Sequence, residues 1–260
     1  MKIEELKQIA EGLINTTKIA GDKSIELQKS GLKIITKPDN TPVSSGDLEV
    51  NKILTEKIKE LTPNIPIVSE ETVDLNEKNI FSTYWLIDPI DGTKEYIAGK
   101  NDYTLNAGLI IDKLPALGIV GVPKKNRLFY SYGKNNSFMI EKEKIIKLNC
   151  KNKINPNKKI MGLTNDIKPP KDILNKLKEF GVTYFEKQSC SYKYCLIATG
   201  EFDVYVDKVR AREWDDAAGQ AIAEHAGAIV TTLDGDKFKY GKEDYRNPTI
   251  LIKRSENLND

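Results

Sequence analysis

The sequence predicts an α+β first half followed by an α/β second half, on three observations. Apolar residues recur at helical spacing through most of the first sixty positions. Apolar segments separated by polar turns then fill about 84–133, and from about residue 159 short strand-like and helix-like segments alternate. The chain has 260 residues, 39% hydrophobic and 30% charged. Area scaling buries roughly 70% of a chain this size, enough for a large core without disulfide staples. The apolar fraction is too high for disorder.

In order, Ile3, Leu6, Ile9, Leu13, Thr17, Ala20, Ser24 and Leu27 mark one long helix or two short ones, stopped by Gly31. LKIITK (32–37) alternates like a strand and PDNTP (38–42) is turn chemistry. Asp47 opens a second amphipathic helix, with Pro63 after its end. IPIVSEE (65–71) and YWLID (84–88) read as strands ending on acids. TLNAGLIID (104–112), LPALGIVGVP (114–123) and RLFYSYG (127–133) read as antiparallel strands. Near Ile140 the composition turns rich in Lys and Asn, a segment suited to bridging two units, 1–142 and 143–260. Beyond it come KIMGLT, PPKDILNKLKEFG, VTYFEK, SYKYCLIATG, FDVYVD and DDAAGQAIAEHAG, strand and helix in turn.

Charge and composition exclude several functions. Forty basic against 38 acidic residues leave a net charge of +2, no basis for a nucleic-acid polymer or a strongly basic membrane face. The stretch from Leu105 to Val122 is broken by Asp112, Lys113 and Pro115, so it does not span a bilayer. The start is an amphipathic helix and not a signal segment, and three cysteines (Cys150, Cys190, Cys195) suit a reducing compartment. A cytoplasmic protein is expected, with peripheral inner-membrane association left open. The single histidine, His225, lies in a helical run and reads as a packed imidazole, which leaves catalysis to carboxylates.

Four acidic sites stand at element boundaries: Asp47, Glu70 with Glu71, Asp88 with Asp91, and Asp215. Singly each has a bland reading, since Asp47 and Asp215 suit helix N-caps, Glu70 and Glu71 suit a solvated loop, and Asp91-Gly92 suits a turn. DPIDGT (88–93) is more specific. Two acids at the end of an apolar strand repel one another and resist desolvation unless a cation lies between them. Carboxylates with a backbone carbonyl, that of Ile90, suit a hard ion such as Mg²⁺. A helix starting after Gly92 would offer free amides to a phosphate. The aspartyl-nucleophile phosphatases carry DxDGT, one residue shorter between the acids. A cysteine-phosphatase loop, a GxxxxGK[ST] loop and a convincing GxGxxG are absent from the sequence.

Asp47, SEE (69–71), WLIDPIDGT (85–93) and EWDDAAG (213–219) together resemble the inositol monophosphatase superfamily of Mg²⁺-dependent, lithium-sensitive phosphatases. Within it, DGTKEYIAGKNDYTLNAGLI (91–110) and SCSYKYCLIATGEFDVY (189–205) resemble the bacterial 3'(2'),5'-bisphosphate nucleotidases of the CysQ type. The resemblance implies a layered α/β/α/β/α sugar-phosphatase-like fold, with 1–142 a metal-binding α+β domain and 143–260 an α/β substrate-binding domain. It implies that Glu70, Asp88 and the Ile90 carbonyl hold one Mg²⁺, that Asp88, Asp91 and Asp215 hold a second, and that a third, looser ion sits near Glu70. Thr93, hydrogen-bonded to Asp47, would ready the attacking water. Gly92, Thr93, Ser191, Lys193 and Asp215 would contact substrate, and Trp214 would pack. Ser189-Cys190 stands where relatives carry Gly-Ser. Lys208, Arg210 and Arg212 compete for the cationic role that relatives give to an arginine.

The implied reaction is hydrolysis of the 3'-phosphate of adenosine 3',5'-bisphosphate to AMP and phosphate, a clearing step linked to sulfate assimilation, in a monomer or homodimer. The alternatives are an inositol or sugar monophosphatase with the same metal site, favoured less by Lys94-Glu95 and Lys193, and a non-catalytic metal- or nucleotide-binding module.

Overall fold

Helix α1 (Ile3–Ser30) is unbroken: Leu6, Ile9, Ala10, Leu13, Thr17, Ala20 and Ser24 form its buried stripe, and Gly31 ends it at φ 101°. This is a computed structural model, and it describes residues 1–37, 40–75, 81–151, 159–208 and 211–258. Residues 38 and 39 of the expected turn, 152–158 of the Lys- and Asn-rich bridge and Arg210 lie outside the described residues. Strands β1 (Ile34–Thr36) and β2 (Pro42–Ser44) pair only with each other, and β2 runs straight into α2 (Ser45–Leu61).

The first large sheet has seven strands: β3 (Ile67–Ser69), β4 (Thr83–Asp91), β5 (Thr104–Ile111), β6 (Leu114–Val122), β7 (Arg127–Ser131), β8 (Ser137–Glu141) and β9 (Lys144–Lys147), paired in that order. Only β3 runs parallel to its neighbour. A short helix, α3 (Thr93–Ile97), follows β4. The second sheet holds β10 (Ile160–Thr164), β11 (Val182–Lys187), β12 (Val204–Asp207), β13 (Ile229–Thr231) and β14 (Ile250–Lys253) in the order β11-β10-β12-β14-β13. Its helices are α4 (Lys171–Glu179), α5 (Tyr192–Ala198) and α6 (Glu213–His225).

Alternation along the strands sorts these elements into layers. Trp85, Ile87, Leu105, Ala107, Leu109, Leu117 and Ile119 face α1 and α2 in one core. Tyr84, Leu86, Val120 and Phe129 face the other way, in a core shared with α5, α6 and the inner face of the second sheet. Ile173 and Leu177 of α4 close the outer face of that sheet over Val204 and Val206. The result is the expected α/β/α/β/α layering, with one core continuous across both halves of the chain.

Three local expectations are corrected. The start of the expected bridge, from about Ile140 to Lys147, is not a linker: the end of β8 and all of β9 extend the first sheet to Lys147. Helices α2 and α6 start two residues earlier than Asp47 and Asp215, which occupy the third helical position of capping boxes and are not N-caps. Strands β13 and β14 complete the second sheet from a tail that showed no sequence pattern.

Candidate active site

The parallel pairing of β3 and β4 sets Ser69 opposite Ile87, so Glu70 follows beside Asp88, and its amide donates to the Ile87 carbonyl at 3.1 Å. On a regular strand residues three apart point to opposite faces. Here Asp88 pairs with Asn106 and Asp91 with Thr104, three steps on β4 against two on β5. This bulge returns Asp91 to the side of Asp88. From across the sheet comes α6, which packs against β5 and β6 because Gly108 and Gly118 leave room: a Cβ on Gly108 would stand 2.8 Å from the Ala218 amide nitrogen. That close approach carries Asp215 to the acids of the first sheet. One carboxylate oxygen from each of Glu70, Asp88 and Asp215 lies within 4.8 Å of the others.

The cluster is electrostatically unfavourable by itself. Burial, then the charges of Glu70, Asp91, Asp215 and Asp47, drive the Asp88 carboxyl well above the usual range. Burial, with Asp91, Glu70 and Asp216, does the same to Asp215. Asp91 is pushed up to about 6 by burial, against the counter-effects of Lys193 and the Ser191 amide. Asp88 is 2% exposed, and its Oδ1 has no hydrogen-bond partner. Three converging carboxylates, one with an orphaned buried oxygen, are the donor set that a hard divalent cation satisfies.

Beside the cluster, Ser44 caps α2 and its amide and hydroxyl both donate to Asp47 Oδ2, at 2.8 and 2.5 Å. Asp47 Oδ1 accepts the Thr93 hydroxyl at 3.0 Å. Burial raises the Asp47 carboxyl, and the Ser44 and Thr93 hydrogen bonds restrain the rise. Gly92, at φ 102°, turns the chain from the bulge into α3, and any side chain there would strike the Asp102 carbonyl.

The profile of the inositol monophosphatase family matches residues 3–259. The chain belongs to that family. The 3'(2'),5'-bisphosphate nucleotidase CysQ of Escherichia coli O157:H7 is 31% identical over 247 residues, covering 90% of this chain and 94% of that protein. The crystal structure of CysQ from Bacteroides thetaiotaomicron, a bacterial member of the inositol monophosphatase family, superposes with a TM-score of 0.76 at 25% identity, covering 95% and 97% of the two chains. Staphylococcal IMPase-I, at 18% identity, shares the fold with a TM-score of 0.77 over 96% of this chain and 91% of its own.

In this inositol monophosphatase family member the remaining expected residues are placed as follows. Ser191 turns both donors inward, its amide to Asp91 Oδ2 at 2.6 Å and its hydroxyl to the Asp215 carbonyl. Lys193 is 4% exposed, 3.6 Å from Asp216 Oδ1, and lies over the rings of Tyr194 and Tyr205. Burial lowers its ammonium, but Asp216 and Asp91 outweigh that and raise it. Asp91, Ser189, Lys193, Lys208 and Asp215 line a cavity of about 110 Å³. A larger cavity of about 240 Å³, between α1 and the β8–β9 turn, contains none of the clustered acids, and we place no chemistry there. Lys208 pairs with Asp172 at 2.7 Å, whereas Arg212 donates to the Asp244 carbonyl and covers Trp214, which is packed. His225 is buried, and Nδ1 accepts the Gly133 amide. Sequence reasoning missed Lys37, Asn106 and Asn247. Asn106 Nδ2 lies 3.4 Å from Asp91 Oδ2, and Asn247 Nδ2 donates to Asp216 at 2.7 Å. No motif announces them, because their partners are distant in sequence.

Proposed function

We propose that this chain is a Mg²⁺-dependent phosphomonoesterase that removes the 3'-phosphate of adenosine 3',5'-bisphosphate, giving AMP and phosphate. The observation that carries the reading is the convergence of Glu70, Asp88 and Asp215 beside the Asp47–Thr93 hydrogen bond. The names of the relatives support the substrate class. Among the described residues no helix is long and apolar enough to cross a membrane, consistent with a cytoplasmic site of action.

In this reading Glu70, Asp88 and the Ile90 carbonyl would hold one Mg²⁺, Asp88, Asp91 and Asp215 would hold a second, and Glu70 would bear on a looser third. When bound, the ions supply positive charge for an anionic ester and its leaving oxygen and make water more acidic. The chain's own residues do the rest. The Thr93 oxygen accepts a hydrogen bond from the attacking water while its hydroxyl proton is held by Asp47. As the bond from the water oxygen to phosphorus forms and the bond from phosphorus to the 3'-oxygen breaks, Thr93 passes its hydroxyl proton to Asp47, raised by burial, and takes the water's proton in its place. The departing 3'-oxygen takes a proton from solvent. Gly92 and Thr93 amides and the Lys193 side of the cavity orient the phosphate. Ser191 acts by tying Asp91 to the start of α6. The division into a metal-binding unit, 1–142, and a substrate-binding unit, 143–260, belongs to this proposal, with Asp215 reaching across.

The test is phosphate release from adenosine 3',5'-bisphosphate and from inositol 1-phosphate, with Mg²⁺, with excess chelator and with added Li⁺. The expected outcome is that the nucleotide is the better substrate, that chelator abolishes turnover and that Li⁺ inhibits it. Preference for the inositol ester defeats the substrate assignment, and full activity in chelator defeats the metal mechanism.

A further inference from the structure

The acidic cluster has a cation of its own at the outer edge. Lys37 Nζ lies 3.0 and 2.8 Å from the two carboxylate oxygens of Glu71 and 3.4 Å from Glu70 Oε1. Glu70 is one of the three acids whose oxygens converge, so the ammonium and any ion held by the cluster share a carboxylate. All three side chains are largely withdrawn from water, at 19% exposure for Lys37, 27% for Glu70 and 3% for Glu71. Like charges so close on one partly desolvated carboxylate repel strongly.

Lys37 directly follows β1, which pairs only with β2 in a hairpin of two three-residue strands that joins neither large sheet, and all of β1 is exposed. Such a hairpin has little stability of its own. Its turn closes with the Lys37 amide on Thr41 and the Asn40 amide on Lys37. The far strand, by contrast, is fixed by the Ser44 cap on α2.

We infer that Lys37 is an internal competitor of the outermost divalent cation: its ammonium neutralises Glu70 and Glu71 in the cation-free protein and must be displaced for Mg²⁺ to load there. The inference rests on the proposed metal-binding role of the cluster. Removing the competitor then removes a population cost from loading, because apparent affinity scales with the fraction of protein in the open state.

The test is calorimetric titration of MgCl₂, without substrate, into the wild type, Lys37→Met, Lys37→Gln, Lys37→Arg and Asp88→Asn, each checked for a cooperative thermal melt. The weakest Mg²⁺ binding step tightens about tenfold in both neutral variants, and Lys37→Arg stays within about twofold of the wild type. Unchanged or weakened binding in Met and Gln, while Asp88→Asn abolishes binding, overturns competition but leaves the metal site intact. Absence of binding in the wild type overturns both. The two neutral variants guard against a folding defect peculiar to one.

Discussion

Two lysines stand at opposite ends of the same acidic cluster and are held in different ways. Lys193 is part of α5, a helix buried on every side, and is wedged between two tyrosine rings with Asp216 beside it. Lys37 follows β1, the exposed strand of a two-strand hairpin, and its ammonium contacts Glu70 and Glu71. The inner cation is thus a fixed component of the fold, set by the packing of α5 on α6. The outer one is held by hydrogen bonds and ion pairs to Glu70 and Glu71 and, on the inference above, is exchangeable. Neutralising acids with a fully packed lysine fixes geometry, whereas neutralising them with one that an ion can displace leaves a place for that ion.

The largest effect is expected where neither lysine reaches. Asp88→Asn removes the acid with the orphaned oxygen, and we expect kcat/KM for phosphate release to fall about 10³-fold or more. Because the same change relieves repulsion with Glu70, Asp91 and Asp215, the melting temperature in chelator should rise, by about 2–4 °C for each kcal/mol relieved. A fall in chelator would mean that the acids do not strain the metal-free protein. Lys193→Met tests the inner end. It leaves Asp216 buried beside Asp91 without a counter-charge, and urea denaturation should show a loss of about 3–5 kcal/mol. Wild-type stability in this variant would show that the inner lysine is not a fixed component of the fold.

Thr93→Val separates proton handling from charge. It should lower kcat about 10²-fold or more while Mg²⁺ affinity, read by calorimetry, stays within about twofold. A parallel loss of affinity would place Thr93 among the ion-holding groups. The smallest effect comes from the far end of α6, where His225, buried beside Gly133, has its pKa lowered to about 4 from 6.5 by burial. A depressed native pKa means that the unfolded state takes up the proton first. Stability from this group is complete above about pH 6.5 and is lost as pH falls toward 4, amounting to about 2–3 kcal/mol at pH 4.5. His225→Asn should therefore narrow the difference between denaturation at pH 7 and at pH 4.5. If it does not, acid sensitivity belongs to the carboxylate cluster.

The legible parts of the fold were those with a local pattern. The buried stripe of α1, the alternating faces of β4 to β6 and the helix–strand alternation of 160–225 all repeat within a few residues. Strand β9 escaped notice because every residue in it is exposed, so it has no inward face to alternate, and its lysines read as linker. The acids were legible as types at boundaries, DPIDGT above all. The bulge that turns Asp88 and Asp91 to one side shows only in the pairing with β5.

By itself the sequence determined which groups were available: a set of acids at strand ends and helix starts, one packed histidine, a threonine two residues beyond Asp91, and an apolar pattern able to stack layers. Tertiary structure decided which of them meet. Asp215 reaches Glu70 and Asp88 because two glycines let α6 lie close on the sheet, and packing brings Lys37 to Glu70 and Glu71 at one end of the cluster and Lys193 to Asp216 at the other. Hydrophobic periodicity acts over one or two turns and is written locally. Electrostatic pairing acts between side chains that only the packing of layers brings within a few ångströms.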